Sequence, residues 1–199
     1  MLAAHVILSM YGFWLPNDPR GAWSDFVAAW ELLRFGKATK AHTSESVAYV
    51  RHDRAKRMEA KRAMKYPAVL LTGIQARAVA RGFARAVRES GYPIHACSIL
   101  DDHVHLVLSP HARTIEQIVR HLRGRASNQL RSEGIHPLAQ RALPDGSLPS
   151  VWSEGMWEVF CHDAEHVNCA IPYVEQNPAR EGKRDQHWSF VTPHPLTLE

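Results

Sequence analysis

Ser98-Ile99-Leu100-Asp101-Asp102-His103-Val104-His105-Leu106-Val107-Leu108 sets two apolar runs on either side of an Asp-Asp pair. An Asp-Asp pair between such runs is a tight hairpin turn, so strands over 92–100 and 103–109 pair antiparallel. Successive strand side chains point to opposite faces. Val104, Leu106 and Leu108 therefore share one face, and His103 and His105 share the other. The apolar face belongs to a core; the opposite one presents two imidazoles about 7 Å apart at Cα. Such a pair can fill two positions on one metal ion, and two exposed histidines would read the same way. Asp101 and Asp102 read as turn formers rather than ligands.

Helices flank this hairpin. Ala76, Val79, Ala80, Phe83 and Val87 recur at helical spacing over 75–89, with Gly91 closing the helix. Its other face carries Arg77, Arg81, Arg85 and Arg88. Over 114–132, Thr114 caps a second helix and Gln117 completes a capping box. Ile115, Ile118, Val119, Leu122, Ala126 and Leu130 form its buried stripe. Upstream, His5–Tyr11 reads as a first strand and Ala68–Leu71 as a short one. Downstream come a Pro- and Gly-bearing loop over 135–149, an edge-like strand within 151–161, a last helix over 163–177 and a packed tail over 188–195. This order predicts an α+β fold, an antiparallel sheet with helices on one face.

The segment 12–66 reads as an insertion within a single domain spanning 1–199. Pro16-Asn17-Asp18-Pro19 excludes regular structure at its start, and a short helix is expected over 24–35. Residues 51–65 form a basic helix: Arg51, Arg54, Lys56, Arg57, Lys61, Arg62 and Lys65 oppose only Asp53 and Glu59. The whole chain has a net charge of +4, so this stretch accounts for all of it. It fits a polyanion, and equally a solvated face. Trp14, Trp23, Trp30, Trp152 and Trp157 read mainly as core, with base stacking as the alternative. Three cysteines without a C-x-x-C pair exclude a disulfide framework and a thiolate zinc site. With no signal peptide and no apolar run of the roughly 20 residues that span a bilayer, the expectation is a cytoplasmic protein with no membrane association.

A second stretch, Ile171-Pro172-Tyr173-Val174-Glu175-Gln176-Asn177-Pro178, puts a tyrosine and an amide four residues apart on one helix face. Pro178 disfavours helix at Asn177, so the helix should stop there. Taken with His103-Val104-His105, this resembles the single-tyrosine HUH transposases (His, hydrophobic, His), and more closely their REP-associated tyrosine, or IS200-like, branch. The resemblance extends over most of the chain. It takes in His5-Val6-Ile7-Leu8, Tyr11-Gly12-Phe13-Trp14-Leu15-Pro16, Ser98-Ile99-Leu100 and the closing Trp188-Ser189-Phe190-Val191.

The resemblance implies a ferredoxin-like HUH endonuclease palm, with the segment 12–66 as an N-terminal helical insertion. It implies Mg²⁺ or Mn²⁺ on His103, His105 and Asn177, with Gln176 as the alternative amide. Imidazole on its own would favour other metals. It implies that Tyr173 attacks DNA and becomes a 5′-phosphotyrosine; tyrosine ordinarily ionises near pKa 10, so it needs help. The partner is single-stranded or hairpin DNA, and a homodimer is open. DNA contacts are expected from Arg51, Arg54, Lys56, Arg57, Lys61, Arg62, Arg77, Arg81, Arg85, Arg120 and Arg123. Pro172 departs from the family pattern. A mid-helix proline costs about 3 kcal/mol, so the helix should kink or restart before Tyr173. The alternative is an inactive or domesticated DNA-binding relative.

Overall fold

Alternating apolar side chains give every strand one face that must be covered, and the sheet solves this with helices. In the computed structural model, which describes residues 1–15, 30–36 and 53–197, the strands are β1 (Ala3–Ser9), β2 (Ile94–Ile99), β3 (His103–Leu108) and β4 (Trp157–Cys161). They form one antiparallel sheet in the order β2-β3-β1-β4. The helices are α1 (Arg54–Ala63), α2 (Gly73–Ser90), α3 (Ile115–Ser132) and α4 (Ala164–Arg180). Strands and α2 and α3 alternate as β-α-β-β-α-β, the ferredoxin-like order, so the expected α+β architecture is the one observed.

Val6, Leu8, Val104, Leu106 and Leu108 meet Val79, Phe83, Ile118, Leu122 and Ala126 of α2 and α3 in the main core. Both helices start in complete capping boxes, Thr72 with Gln75 and Thr114 with Gln117. They cross closely at Gly82, where an added Cβ would lie 2.5 Å from Ala126 Cα. Alanine in an exposed helix gains about 1 kcal/mol over glycine. Here the obstacle is backbone, so the helices would have to separate. Gly82→Ala should lower stability by about 1–3 kcal/mol in urea unfolding; an unchanged midpoint would contradict this packing.

The last helix differs from the expected layout: α4 lies on the opposite face of the sheet from α2 and α3. Val167, Ile171 and Val174 pack there on Ala3, Ala96, Val107 and Cys161. The free edge of β2 is closed by the chain's own tail. Gln186 bonds both the N–H and the carbonyl of Ile99, and Thr192 N–H donates to Ile94 O.

Several boundaries shift. The 68–71 segment is not a strand, although Val69 and Leu71 donate backbone bonds to Tyr11 O and Asp101 O. The basic helix is shorter than expected, beginning after its cap Asp53. Of the 24–35 helix, only a 3-10 turn over Trp30–Phe35 is described; Trp23 and Arg51 lie outside the described residues. Leu15, Leu32, Phe35 and Ala60 form a small separate cluster in the 12–66 segment. Among the described residues, no helix is long and apolar enough to cross a membrane.

Candidate active site

Strand register fixes what lies beneath α4. On β1, Ala4, Val6, Leu8 and Met10 turn to the main core, so Ala3, His5, Ile7 and Ser9 face the other way. Ile7 pairs with His105 and Ser9 with His103 across the β1–β3 ladder. The His103 and His105 rings are 4.7 Å apart between centroids, and His5 Nε2 lies 2.8 Å from His105 Nδ1 with the two ring planes 24° apart. Tyr173 of α4 sets its ring edge-on to both His5 and His105, at 5.7 and 5.8 Å. It is 42% exposed, whereas His5 and His105 are buried. The ring thus sits at the surface with the imidazoles under it.

The protons on these rings follow from their partners. His103 Nδ1 donates to Asp102 Oδ1 at 2.7 Å; a carboxylate can only accept, so the neutral ring keeps its lone pair on Nε2. Asp102, expected as a turn former, is also the group that orients His103. Burial, with His103 and His5 beside it, lowers His105 to about 2, and burial lowers His5 to about 4. Both are neutral at pH 7. Phe13 stacks on the His103 ring, with centroids 5.0 Å apart, and Trp157 meets His5 edge-on.

These neutral histidines make the fold acid-sensitive. An unfolded imidazole takes up its proton near pH 6.5, whereas folded His5 and His105 do so only far below it. His136 and His194 shift the same way, chiefly through burial. Stability is therefore full above about pH 6.5 and falls as pH drops toward 4, because the unfolded chain binds more protons in that window. In EDTA, the melting temperature should fall between pH 7 and pH 5. A flat profile would mean that these rings are not buried.

The two amides of α4 are treated differently. Asn177 is buried, and among the described residues its Nδ2 has no hydrogen-bond partner; Ser98 Oγ, on the strand residue paired with His105, is likewise buried without one. Gln176 is exposed and accepts a 3.2 Å bond from Arg180 Nη2. The Arg180 guanidinium carbon lies 5.0 Å from the Tyr173 ring centroid, within cation–π range. The expected stop at Asn177 is not observed. The helix runs unbroken through Pro172 and Pro178 to Arg180, held by the packing of Val167, Ile171 and Val174.

The structure brings His103, His105, Tyr173 and the α4 amides to one face and leaves the candidate DNA contacts of α2 and α3 elsewhere. Arg77, Arg81, Arg85 and Arg120 are exposed on α2 and α3, on the far side of the sheet. Arg81 pairs with Glu133, and Arg85 with Glu89. Arg123 turns inward to donate to Gly155 O beside the Trp152 ring, and burial lowers it to about 10. Arg54, Lys56, Lys61 and Arg62 are exposed on α1, and Arg57 is half-buried there. Sequence reading assigned no role to His5, although the alternation Ala4, Val6, Leu8 already placed it on the polar face. It also missed Arg180, whose signal was its position seven residues after Tyr173.

The family described as IS200-like transposases matches residues 62–177, more than half of the chain. No curated protein matches. Several solved chains are similar, these two among them. One is a REP-associated tyrosine transposase bound to a REP hairpin, with 11% identity, 91% of this chain and 68% of that one covered, and a TM-score of 0.47. The other is a candidate transposase from Deinococcus radiodurans, with 14% identity, coverages of 93% and 92%, and a TM-score of 0.42. At these values the family match alone carries the assignment.

Proposed function

We propose that this chain, which belongs to the IS200-like transposase family, nicks and rejoins single-stranded or hairpin DNA through Tyr173, with Mg²⁺ or Mn²⁺ held by His103, His105 and Asn177. The observation that carries this reading is the convergence of Tyr173 on an imidazole pair at the surface of the sheet. The donor set fits a metal ion. Asp102 accepts from His103 Nδ1, which leaves Nε2 of that ring to ligate, the outer-sphere arrangement metal-binding histidines use. Asn177 is buried at the same face; its carboxamide would ligate through Oδ1, because Nδ2 can only donate. Gln176 is the weaker choice, being exposed and engaged by Arg180.

When bound, the metal would polarise the scissile phosphate and orient it. Tyr173 Oη attacks phosphorus, and the bond to the 3′ oxygen breaks. That oxygen leaves as a 3′-OH, taking a proton, and the 5′ phosphate stays on tyrosine. Reversal by a 3′-OH restores the phosphodiester, so no nucleotide cofactor is required. Arg180, beside the Tyr173 ring, offsets the charge of the incoming phosphate. Pro172 motivated the alternative of an inactive relative, but the unbroken helix and the placement of Tyr173 on the imidazoles favour the active reading.

The test is incubation with end-labelled hairpin oligonucleotides and Mn²⁺. A discrete nick that EDTA abolishes is expected; tight binding without any nick would favour the inactive relative. For binding, α1 is the leading surface, since its cations lie outside the sheet core. Reversing charge at Arg54, Lys61 and Arg62 should flatten the salt dependence by about one counterion per lost phosphate contact. An unchanged slope would return α1 to a solvated face.

A further inference from the structure

We infer that His5 is a positioning residue for His105: its Nε2 accepts the Nδ1 proton of that ring and so presents His105 Nε2 as a bare ligand. The inference rests on the metal reading above. It is carried by the 2.8 Å separation of His5 Nε2 and His105 Nδ1, both buried. One proton lies between these two nitrogens. If His5 donated it, neutral His105 would hold its own proton on Nε2 and have no lone pair for a metal. If His105 donates, His5 carries its proton on Nδ1, and His105 Nε2 is free. Only the second arrangement allows the ring to ligate.

His5 is placed to enforce this. It sits in the middle of β1, paired with Val107 on one side and Val159 on the other, so its backbone cannot shift. Its ring meets that of His105 nearly in plane, with the planes 24° apart, and is closed in by Trp157 and Tyr173. The two metal histidines would thus be oriented by different chemistry, His103 by the Asp102 carboxylate and His105 by a neutral imidazole. The His5 ring also gives Tyr173 a surface to lean on, which ties the nucleophile's position to the same side chain.

Two measurements test this. In the metal-free wild type, long-range proton–nitrogen NMR should find His105 protonated at Nδ1 and bare at Nε2. An Nε2–H tautomer would overturn the inference, and this readout depends on no activity. Next, Mn²⁺ titration of the DNA-free protein, followed by electron paramagnetic resonance, should show His5→Phe weakening affinity by about 10–100-fold, the usual cost of losing an outer-sphere partner. His5→Gln, whose Oε1 can accept at the same place, should recover most of that loss. Wild-type affinity in a folded His5→Phe protein would overturn the inference. If His5→Phe does not fold, the tautomer and the Gln variant decide. No Mn²⁺ binding by the wild type would instead remove the metal reading itself.

Discussion

His103→Ala is expected to abolish metal-dependent nicking while leaving a folded protein. It removes one of the two imidazoles proposed to ligate the metal, so the loss should exceed the roughly 100-fold cost of deleting an outer-sphere partner. His105→Ala should lose activity as fully, with a second effect. His105 is 3% exposed under α4, so truncation leaves a hole and should cost about 2 kcal/mol or more of stability. The two variants therefore separate chemistry from folding: both lose nicking, and His105→Ala shows the larger drop in unfolding midpoint. Normal cleavage by a folded His103→Ala protein in Mg²⁺ or Mn²⁺ would contradict the metal assignment, as would nicking that survives EDTA.

Tyr173→Phe should have the largest effect. It keeps the ring that meets His5, His105 and Arg180 and removes only the hydroxyl at a half-exposed position. Fold and DNA affinity should stay as in the wild type. Nicking should fall by a factor on the order of 10⁴ or more, as when a covalent nucleophile is lost elsewhere, and no adduct should form. The neighbouring amides refine the picture. Asn177→Ala should keep its nucleophile yet nick slowly, with partial rescue by raised Mn²⁺, while Gln176→Ala should be close to wild type. The reverse pattern would move the ligand to Gln176. Nicking by Tyr173→Phe at the wild-type rate would leave a metal nuclease that uses water.

Much of this arrangement is legible in the sequence because it rests on strand alternation. Period two puts His103 and His105 on one face and Val104, Leu106 and Leu108 on the other whatever the tertiary fold. The capping box at Thr114 and the helix stripes of α2 and α3 follow from equally local rules. What escapes is what depends on long-range contact. Nothing local says that α4 crosses to the far face of the sheet, so the imidazoles read as exposed although α4 buries His105. Nothing local shows that packing carries a helix through Pro172 and Pro178. His5 and His105 are a hundred residues apart, and their bond exists only because β1 lies between β3 and β4. For the arginines of α2 and α3, the face on which they end was not legible either. Their periodicity is real, yet it faces away from the site, and Glu89 and Glu133 already pair with Arg85 and Arg81.

Tyr173 is expected to become covalently bound to DNA. The direct measurement is peptide mapping by mass spectrometry of the SDS-resistant product formed when wild-type protein, Mn²⁺ and a hairpin oligonucleotide react. A single modified peptide is predicted, carrying the nucleotides 3′ of the nick through a 5′ phosphate on Tyr173. Nicks that accumulate without an adduct, or an adduct on another side chain such as Tyr92, would contradict it.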